Sequence, residues 1–327
     1  MAKIFLTHSR HSLANYYGKN ALAQLRTLGE VILNEGAEEP DEQQLITAAR
    51  ECDIIVSFRV PAITASVFDR LPKLIAVCRV AVDVRNIDIA AASGNGILVT
   101  QASPGFGASV AEWVIGVMIN ISRNISITSA AYWSGLPAPV LMGQELRGAT
   151  LGVIGYGTIG QYLCRLASAF GMNVKVYDPY TQAQENGIAN VSFDEVLTTA
   201  DYLVCLAPAT PETAKLINKR AFQKMKRSAF FINASRGELV DESDLLQALN
   251  DEAIAGCGLD VGSDGDQKPA LSIASHPRVV ASPHIAGLTP QAAEHQAMDT
   301  VSQVRDILAG KIPAGSLNAQ HAWRWAK

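Results

Sequence analysis

Two residues of this chain carry side chains suited to charge and proton chemistry, and both fall where a predicted strand ends. Arg236, in the phrase Asn233-Ala234-Ser235-Arg236-Gly237, follows an almost wholly apolar run, where a guanidinium needs an anionic or polar partner. Its fork can hold a carboxylate in two hydrogen bonds and orient an adjacent carbonyl or hydroxyl. The other reading is a surface or domain-locking ion pair. His284 stands in Ser282-Pro283-His284-Ile285-Ala286-Gly287. Imidazole moves one proton near neutral pH, accepting it as an alcohol is oxidised or donating it as a carbonyl is reduced; a structural histidine is the alternative. His276, on the approach to a turn, is expected to do no chemistry.

A second set of residues suits a dinucleotide. Leu151 to Ile154 reads as a buried strand, and Gly155-Tyr156-Gly157-Thr158-Ile159-Gly160 follows it in the spacing G-x-G-x-x-G. Ile159, Leu163, Leu166, Ala167 and Phe170 then keep an apolar face at helical spacing. Gly155 permits a tight turn, Gly157 lets backbone approach a pyrophosphate, and Gly160 lets the helix lie close to the sheet. The helix start offers unpaired amides to phosphate. A second strand, Asn173 to Tyr177, delivers Asp178 toward the adenosine ribose hydroxyls. Its charge repels a 2′-phosphate, and Pro179 and Tyr180 supply no cation, so NAD is expected over NADP. Strand, glycines, helix, strand and acid in this order are far more specific than the glycines alone; a structural turn or an S-adenosylmethionine pocket are the competing readings.

The elements that must position these residues follow from the pattern. In the first hundred residues the predicted order is a strand at Lys3–Thr7, a helix at Tyr16–Thr27, a strand at Glu30–Leu33 and a helix opened by the acidic stretch Glu38–Glu42 and running through Arg50. A strand at Asp53–Ser57, a helix at Thr64–Leu71, a strand at Leu74–Cys78, a helix at Ile87–Ser93 and a strand at Ile97–Thr100 follow. This alternation predicts a parallel sheet with helices on both faces and no glycine fingerprint of its own. Beyond Asp178 strand and helix alternate again to Val279–Ala281. The expected fold class is therefore α/β, two doubly wound parallel-sheet domains, the first spanning 1–103 with 289–327 and the second 104–288. Ligands bind at the carboxyl ends of parallel strands, which singles out the phrases bearing Arg236 and His284 and the pair Ala207-Pro208. Thr210, Pro211 and Thr213 add contacts there, or form a turn and cap the next helix.

Composition agrees with a soluble enzyme. The chain has 327 residues, enough for two domains, and a net charge of −4 with no basic cluster, which leaves no footprint for nucleic acid. Its five cysteines lie far apart, mostly in apolar runs, and read as buried thiols of a reducing, cytoplasmic compartment, with no metal spacing. Neither a signal peptide nor a membrane span is indicated. Pro104 to Gly107 marks the crossing between domains, and Ser109 with Glu112 is read as a capping box for a helix over Val110–Ile121. That helix is apolar on nearly every side, more than one domain core can easily satisfy. Tyr132 to Met142 reads as a homodimer-forming arm, an ordinary packed connector being the alternative.

The phrases GATLGVIGYGTIG, VKVYDPY, INASRGELVDESDLLQAL, GLDV and SPHIAGLTPQA resemble the D-isomer-specific 2-hydroxyacid dehydrogenase family. The likeness implies a Rossmann nucleotide-binding lobe, and the residues before it fit the family's flavodoxin-like catalytic lobe, to which a terminal helix returns. It implies NAD, a D-2-hydroxy acid or 2-oxo acid as substrate, Arg236 as the residue that orients it, His284 as proton donor and acceptor, and an acid that holds His284 in the useful tautomer. By the same likeness Asp260 contacts the nicotinamide carboxamide and Ala234 and Gly287 lie near the cofactor.

The chain departs from the family in two places. A glutamate followed by proline usually comes five residues after the aspartate of the LDV phrase; here Asp260 is followed by Val-Gly-Ser-Asp-Gly-Asp266-Gln-Lys-Pro269. With one residue inserted, Pro269 falls into register and Asp266 takes the acid's place, Asp264 being the alternative. In the first lobe, Arg79-Val80-Ala81-Val82-Asp83 matches a substrate-carboxylate loop only in part, with Ala81 and Asp83 where glycines usually stand. Arg79 touches a second anionic group or packs the lobe together. An NAD-dependent oxidoreductase acting on small acids such as glyoxylate or hydroxypyruvate is the leading expectation; a non-enzymatic NAD-sensing or protein-binding member of the fold is the other.

Overall fold

The computed structural model describes residues 1–325, apart from the side chain of Asp266. The chain forms two compact units, residues 1–105 with 289–327, and residues 106–288.

Among the described residues the first unit holds five strands, β1 (Lys3–Leu6), β2 (Glu30–Leu33), β3 (Ile54–Ser57), β4 (Ala76–Arg79) and β5 (Leu98–Gln101). All pair in parallel in the order β2-β1-β3-β4-β5, the flavodoxin-like arrangement. Side chains alternate across the sheet, so Ile4, Leu6, Ile54 and Val56 enter one core while Phe5, Ile55, Val77 and Val99 enter the other. Burial on both faces explains why these strands read as continuous apolar runs. The helix Pro290–Leu308 supplies Ala297, Val301, Val304 and Ile307 to the first of these cores, which is how the chain's end joins its beginning.

The second unit holds β6 (Thr150–Ile154), β7 (Asn173–Tyr177), β8 (Ile188–Asn190), β9 (Tyr202–Cys205), β10 (Phe230–Asn233), β11 (Gly256–Leu259) and β12 (Val279–Ala281). Their order is β12-β11-β10-β9-β6-β7-β8, all parallel. It is a Rossmann sheet whose strand order reverses between β6 and β9.

Several local expectations are corrected. The helix expected over 16–27 is the shorter Lys19–Leu25, which begins after Gly18 at a positive φ of 86°, and a separate helix, Arg10–Tyr16, precedes it. The expected capping box fails: the helix starts earlier, at Gly107 after Phe106, so Ser109 lies inside it and no side chain caps its start. That helix runs Gly107–Arg123 and is largely satisfied by its own unit, with Val110, Val114, Met118 and Ile121 packed into the core that also takes Leu163 and Ala167 of the helix Thr158–Ala169. Strand β8 and the helix Ile125–Trp133 had no counterpart in the sequence reading.

His8, just after β1, is buried between aromatic rings, 5.2 Å from that of Tyr17 and 4.9 Å from that of Phe58. Burial, and then the Arg79 guanidinium, push its pKa from 6.5 down to about 3 against the opposing pull of Glu39. An unfolded chain therefore takes up a proton below pH 6.5 that the folded chain refuses until about pH 3. The contribution is complete above pH 6.5 and is lost as pH falls toward 3. In urea denaturation between pH 7 and 4, wild type should lose stability more steeply than His8→Phe, by a difference approaching about 1.4 kcal/mol per pH unit. Equal slopes would show that His8 is not the group responsible.

Candidate active site

The glycine turn after β6 is shaped by close backbone approach. Gly155 has a φ of 99°, and a Cβ there would stand 2.7 Å from the Ala207 nitrogen; one on Gly160 would stand 2.4 Å from the Gly155 carbonyl oxygen. Gly157 differs: nothing lies within 4 Å of its Cβ position, and it precedes the helix Thr158–Ala169, whose start no side chain caps. An open approach to uncapped amides at the positive end of a twelve-residue helix fits a pyrophosphate. Tyr156 is buried and its hydroxyl donates to Glu185, while Thr158 is exposed and Ile159 half-buried.

Asp178 follows β7 and organises its surroundings through the main chain. Its Oδ2 accepts from Tyr156 N at 2.7 Å, and its Oδ1 accepts from Tyr180 N at 2.8 Å and Thr181 N at 2.9 Å. Partial burial raises its pKa, but the three N–H donors outweigh this and hold the carboxyl below its ordinary range. A fixed negative charge thus stands next to the glycine turn, with Pro179 and Tyr180 exposed beside it. These residues suit a dinucleotide whose ribose hydroxyls are free.

At the ends of β9 and β10 the turns are tied to each other. Ser235 Oγ donates to the Ala207 carbonyl at 2.6 Å, and buried Asn233 donates from Nδ2 to the Arg236 carbonyl at 2.8 Å. Thr213 Oγ1 donates to the Pro208 carbonyl at 2.7 Å and accepts from Thr210 N at 2.8 Å, so this hydroxyl closes its own turn. Ala234 is buried. Arg236 is half-buried, with NH1 donating to the Ser235 carbonyl at 2.7 Å. A Cβ on Gly237 would meet the Gly262 carbonyl oxygen at 2.3 Å, so the Arg236 turn lies directly on the loop after β11. Sequence reasoning missed Asn233 and Ser235, whose only signal was polar chemistry at a buried strand end.

The turn carrying His284 is held by Asp260. This carboxylate is 2% exposed; Oδ1 accepts from Ile285 N at 2.8 Å and from Ser282 Oγ at 2.5 Å, and Oδ2 accepts from Ala286 N at 2.8 Å. The Asp260 carbonyl also accepts from His284 N at 2.9 Å. Within this arrangement His284 adopts a φ of 59°. Gly287 comes next, its Cβ position 3.2 Å from Phe106 Cβ. Asp264 is exposed and its Oδ1 accepts from Gly265 N at 2.7 Å. Asp266 lies in the short 3-10 turn Gly265–Gln267, and its side chain lies outside the described residues.

In the first unit Arg79 ends β4 and is 4% exposed. Its Nε donates to the Asp83 carbonyl at 2.9 Å and its NH1 to the Ser57 carbonyl at 3.3 Å. Val80 is buried, and the Ala81 carbonyl accepts from Ala102 N at 3.0 Å. Among the described residues no group of three or more His, Cys, Asp or Glu could hold a metal, and no helix is long and apolar enough to cross a membrane.

Comparison with known proteins agrees with this architecture. The family model described as D-isomer specific 2-hydroxyacid dehydrogenase, NAD binding domain, matches residues 115–286. The chain is 33% identical over 306 residues to D-3-phosphoglycerate dehydrogenase of Mycobacterium leprae (strain TN), which takes in 92% of this chain and 57% of that protein. It therefore spans little more than half the length of that relative. Among solved structures, the TT0316 protein of Thermus thermophilus superposes with a TM-score of 0.85 at 28% identity, over 96% of this chain and 99% of that one. D-2-hydroxyisocaproate dehydrogenase does so with a TM-score of 0.85 at 25% identity, over 97% of this chain and 100% of that one. The chain belongs to the D-isomer specific 2-hydroxyacid dehydrogenase family, and its second unit contains that family's NAD-binding domain.

Proposed function

We propose that this chain interconverts a D-2-hydroxy acid and its 2-oxo acid, and that its substrates are small acids of the glyoxylate or hydroxypyruvate kind. The observation that carries the reading is the His284 turn, fixed at the end of β12 by Asp260 of the loop after β11, the same loop against which the Arg236 turn is packed. A sensor of NAD would need the glycine turn and Asp178 but neither of those two residues. The relative's name also fits, because 3-phosphoglycerate is a 2-hydroxy acid with an oxygen on the neighbouring carbon.

Bound NAD supplies the hydride acceptor. The protein's own residues bind, orient and move a proton. Arg236 clamps the substrate carboxylate, His284 exchanges the alcohol proton, and Asp266 orients His284 and stabilises its charged form. Gly155 to Gly160 cradle the pyrophosphate and Asp178 receives the ribose hydroxyls, with Pro179 and Tyr180 beside it. Ala207, Pro208, Thr213, Ala234, Asp260 and Gly287 line the rest of the cofactor site. The first unit serves as the substrate domain through Val80 and Ala81, while Arg79, occupied by two carbonyls, positions that loop. The working form is a cytoplasmic homodimer: Trp133, 85% exposed, and Met142, 96% exposed, lie on one contiguous arm, a costly display in water for an isolated chain.

Cofactor choice is checked by direct binding. NADH should bind more tightly than NADPH, and Asp178→Ala should narrow the difference; equal affinities in wild type would sink the role given to Asp178. For assembly, light scattering at working concentration should give at least twice the mass of one chain, and a stable monomer would refute the dimer. For catalysis, Arg236→Ala should raise KM and slow hydride transfer together, whereas His284→Ala should mainly lower kcat, by about 10²- to 10⁴-fold. Asp266→Asn should flatten or shift the pH–rate profile, with Asp264→Asn as control. If the control shows the large loss and Asp266→Asn behaves as wild type, Asp264 is the partner of His284.

A further inference from the structure

Tyr156 stands between Gly155 and Gly157, yet its side chain turns away from any ligand and into the protein. It is 2% exposed and belongs to the core that also takes Leu163, Val174 and Ala183. A phenol enclosed in this way needs a partner for its hydroxyl. Its partner is Glu185, an exposed residue on the segment between β7 and β8, to whose Oε2 it donates at 2.5 Å. At the main chain Tyr156 N donates to Asp178 Oδ2 at 2.7 Å. The glycine turn therefore grips this segment twice through one residue, at 178 and at 185.

Between those two points the segment is lightly held. Asp178 Oδ1 accepts from the amides of Tyr180 and Thr181, and the Asn190 side chain pairs with both the N and the carbonyl of Ala183, at 2.8 and 2.9 Å. Pro179, Tyr180, Thr181 and Gln182 are all exposed. Burial, and then Glu185, push the Tyr156 phenol up, while that same hydrogen bond is the largest of the effects that hold Glu185 below its ordinary range, ahead of the charge of Arg165. At neutral pH a protonated phenol thus faces an ionised carboxylate, and a charge-assisted hydrogen bond of that kind is about twice as strong as a neutral one.

Resting on the reading of Asp178 as acceptor for the ribose hydroxyls, we infer that Tyr156 and Glu185 are positioning residues for NAD. The hydrogen bond between their side chains latches the segment 178–185 to the glycine turn, so that the Asp178 carboxylate and the exposed residues after it are already in place where the adenosine half binds. Neither side chain has to touch the cofactor. An unlatched segment spends part of its time in other conformations, and the apparent Kd rises by the inverse of the fraction that remains competent.

Titration of NADH into the full chain, followed by fluorescence, tests this. Tyr156→Phe, which keeps the ring in the core and leaves no buried hydroxyl unpaired, should raise the Kd by about fivefold or more. Glu185→Ala should raise it by a similar factor and the double variant no further, because both changes remove one interaction. Glu185→Gln, whose amide oxygen still accepts from the phenol, should stay within about threefold of wild type. A hydroxyl that serves only the fold would lower the melting temperature in Tyr156→Phe and leave the Kd of the folded chain where it was. An unchanged Kd in Tyr156→Phe, or losses that add in the double variant, overturns the latch. Asp178→Ala, measured alongside, separates the two readings: if it weakens NADH binding while Tyr156→Phe does not, the ribose acceptor stands and the latch falls. If Asp178→Ala binds NADH as wild type does, the ribose reading is wrong and the latch falls with it.

Discussion

One buried carboxylate, that of Asp260, holds the strand-end turn 282–286 of the second unit together. Two main-chain N–H groups and a serine hydroxyl converge on it from the turn 282–286, and hydrogen bonds to a charged group contribute about 1.5–3 kcal/mol each. The left-handed backbone of His284 costs about 1–2 kcal/mol, so the anchor outweighs the strain it maintains. The arrangement depends on strand register. β11 and β12 pair Leu259 with Ala281, and Ser282 N continues the ladder onto the Leu259 carbonyl at 2.9 Å. A slip by one residue would turn Asp260 to the opposite face of the sheet and release the turn.

The same closeness of approach runs along the whole strand-end surface of this unit. Gly155 lies against the backbone at 206–207, Gly160 against Gly155, and Gly237 against Gly262, each at a distance that a side chain would forbid. Ser235 links the end of β10 to that of β9, and Asn233 closes the turn that carries Arg236. Each turn is therefore braced by its neighbour, so the cofactor cradle and the Arg236 turn belong to one rigid framework rather than to independent loops. Rigid support of this kind is what places a donor or a proton-transfer group to within the tolerance that chemistry requires.

Much of this was legible in the sequence because it rests on short-range pattern. The strands Asn173–Tyr177 and Val279–Ala281, the glycine spacing and the acid at 178 are set by residues close together in the chain. What escaped depends on contacts made across it. Gly18 delays the start of a helix whose apolar spacing gave no warning, and Gly107 starts one before the serine that resembled a cap. The side chain of Asp260 finds partners some 25 residues away, at Ile285 and Ala286, a closure invisible until β11 and β12 are in register. His8 carries no signal in the sequence; the approach of Phe58 and Tyr17 shows it to be an enclosed imidazole.

The loop that replaces the family's Glu-Pro phrase follows from the same constraints. Gly262 is pinned, its Cβ position 2.6 Å from Pro269 Cα, and Gly262 N donates to the Gln267 carbonyl at 2.9 Å. Asp264 N donates to the Lys268 carbonyl at 3.0 Å, so the segment closes into a hairpin-like loop with residues 265–267 at its tip. Gln267, at a φ of 56°, donates from Nε2 to Glu238 Oε1 at 3.1 Å, which ties the tip to the turn just after Arg236. Within this closed loop the two aspartates stand differently. Asp264 commits its carboxylate to the amide of Gly265 and thereby caps the tip, whereas Asp266 sits in the middle of the turn that this cap creates. The cap at 264 thus builds the turn that sets the backbone of residues 265–267, and the loop is closed by its own main chain before any side chain at its tip is considered.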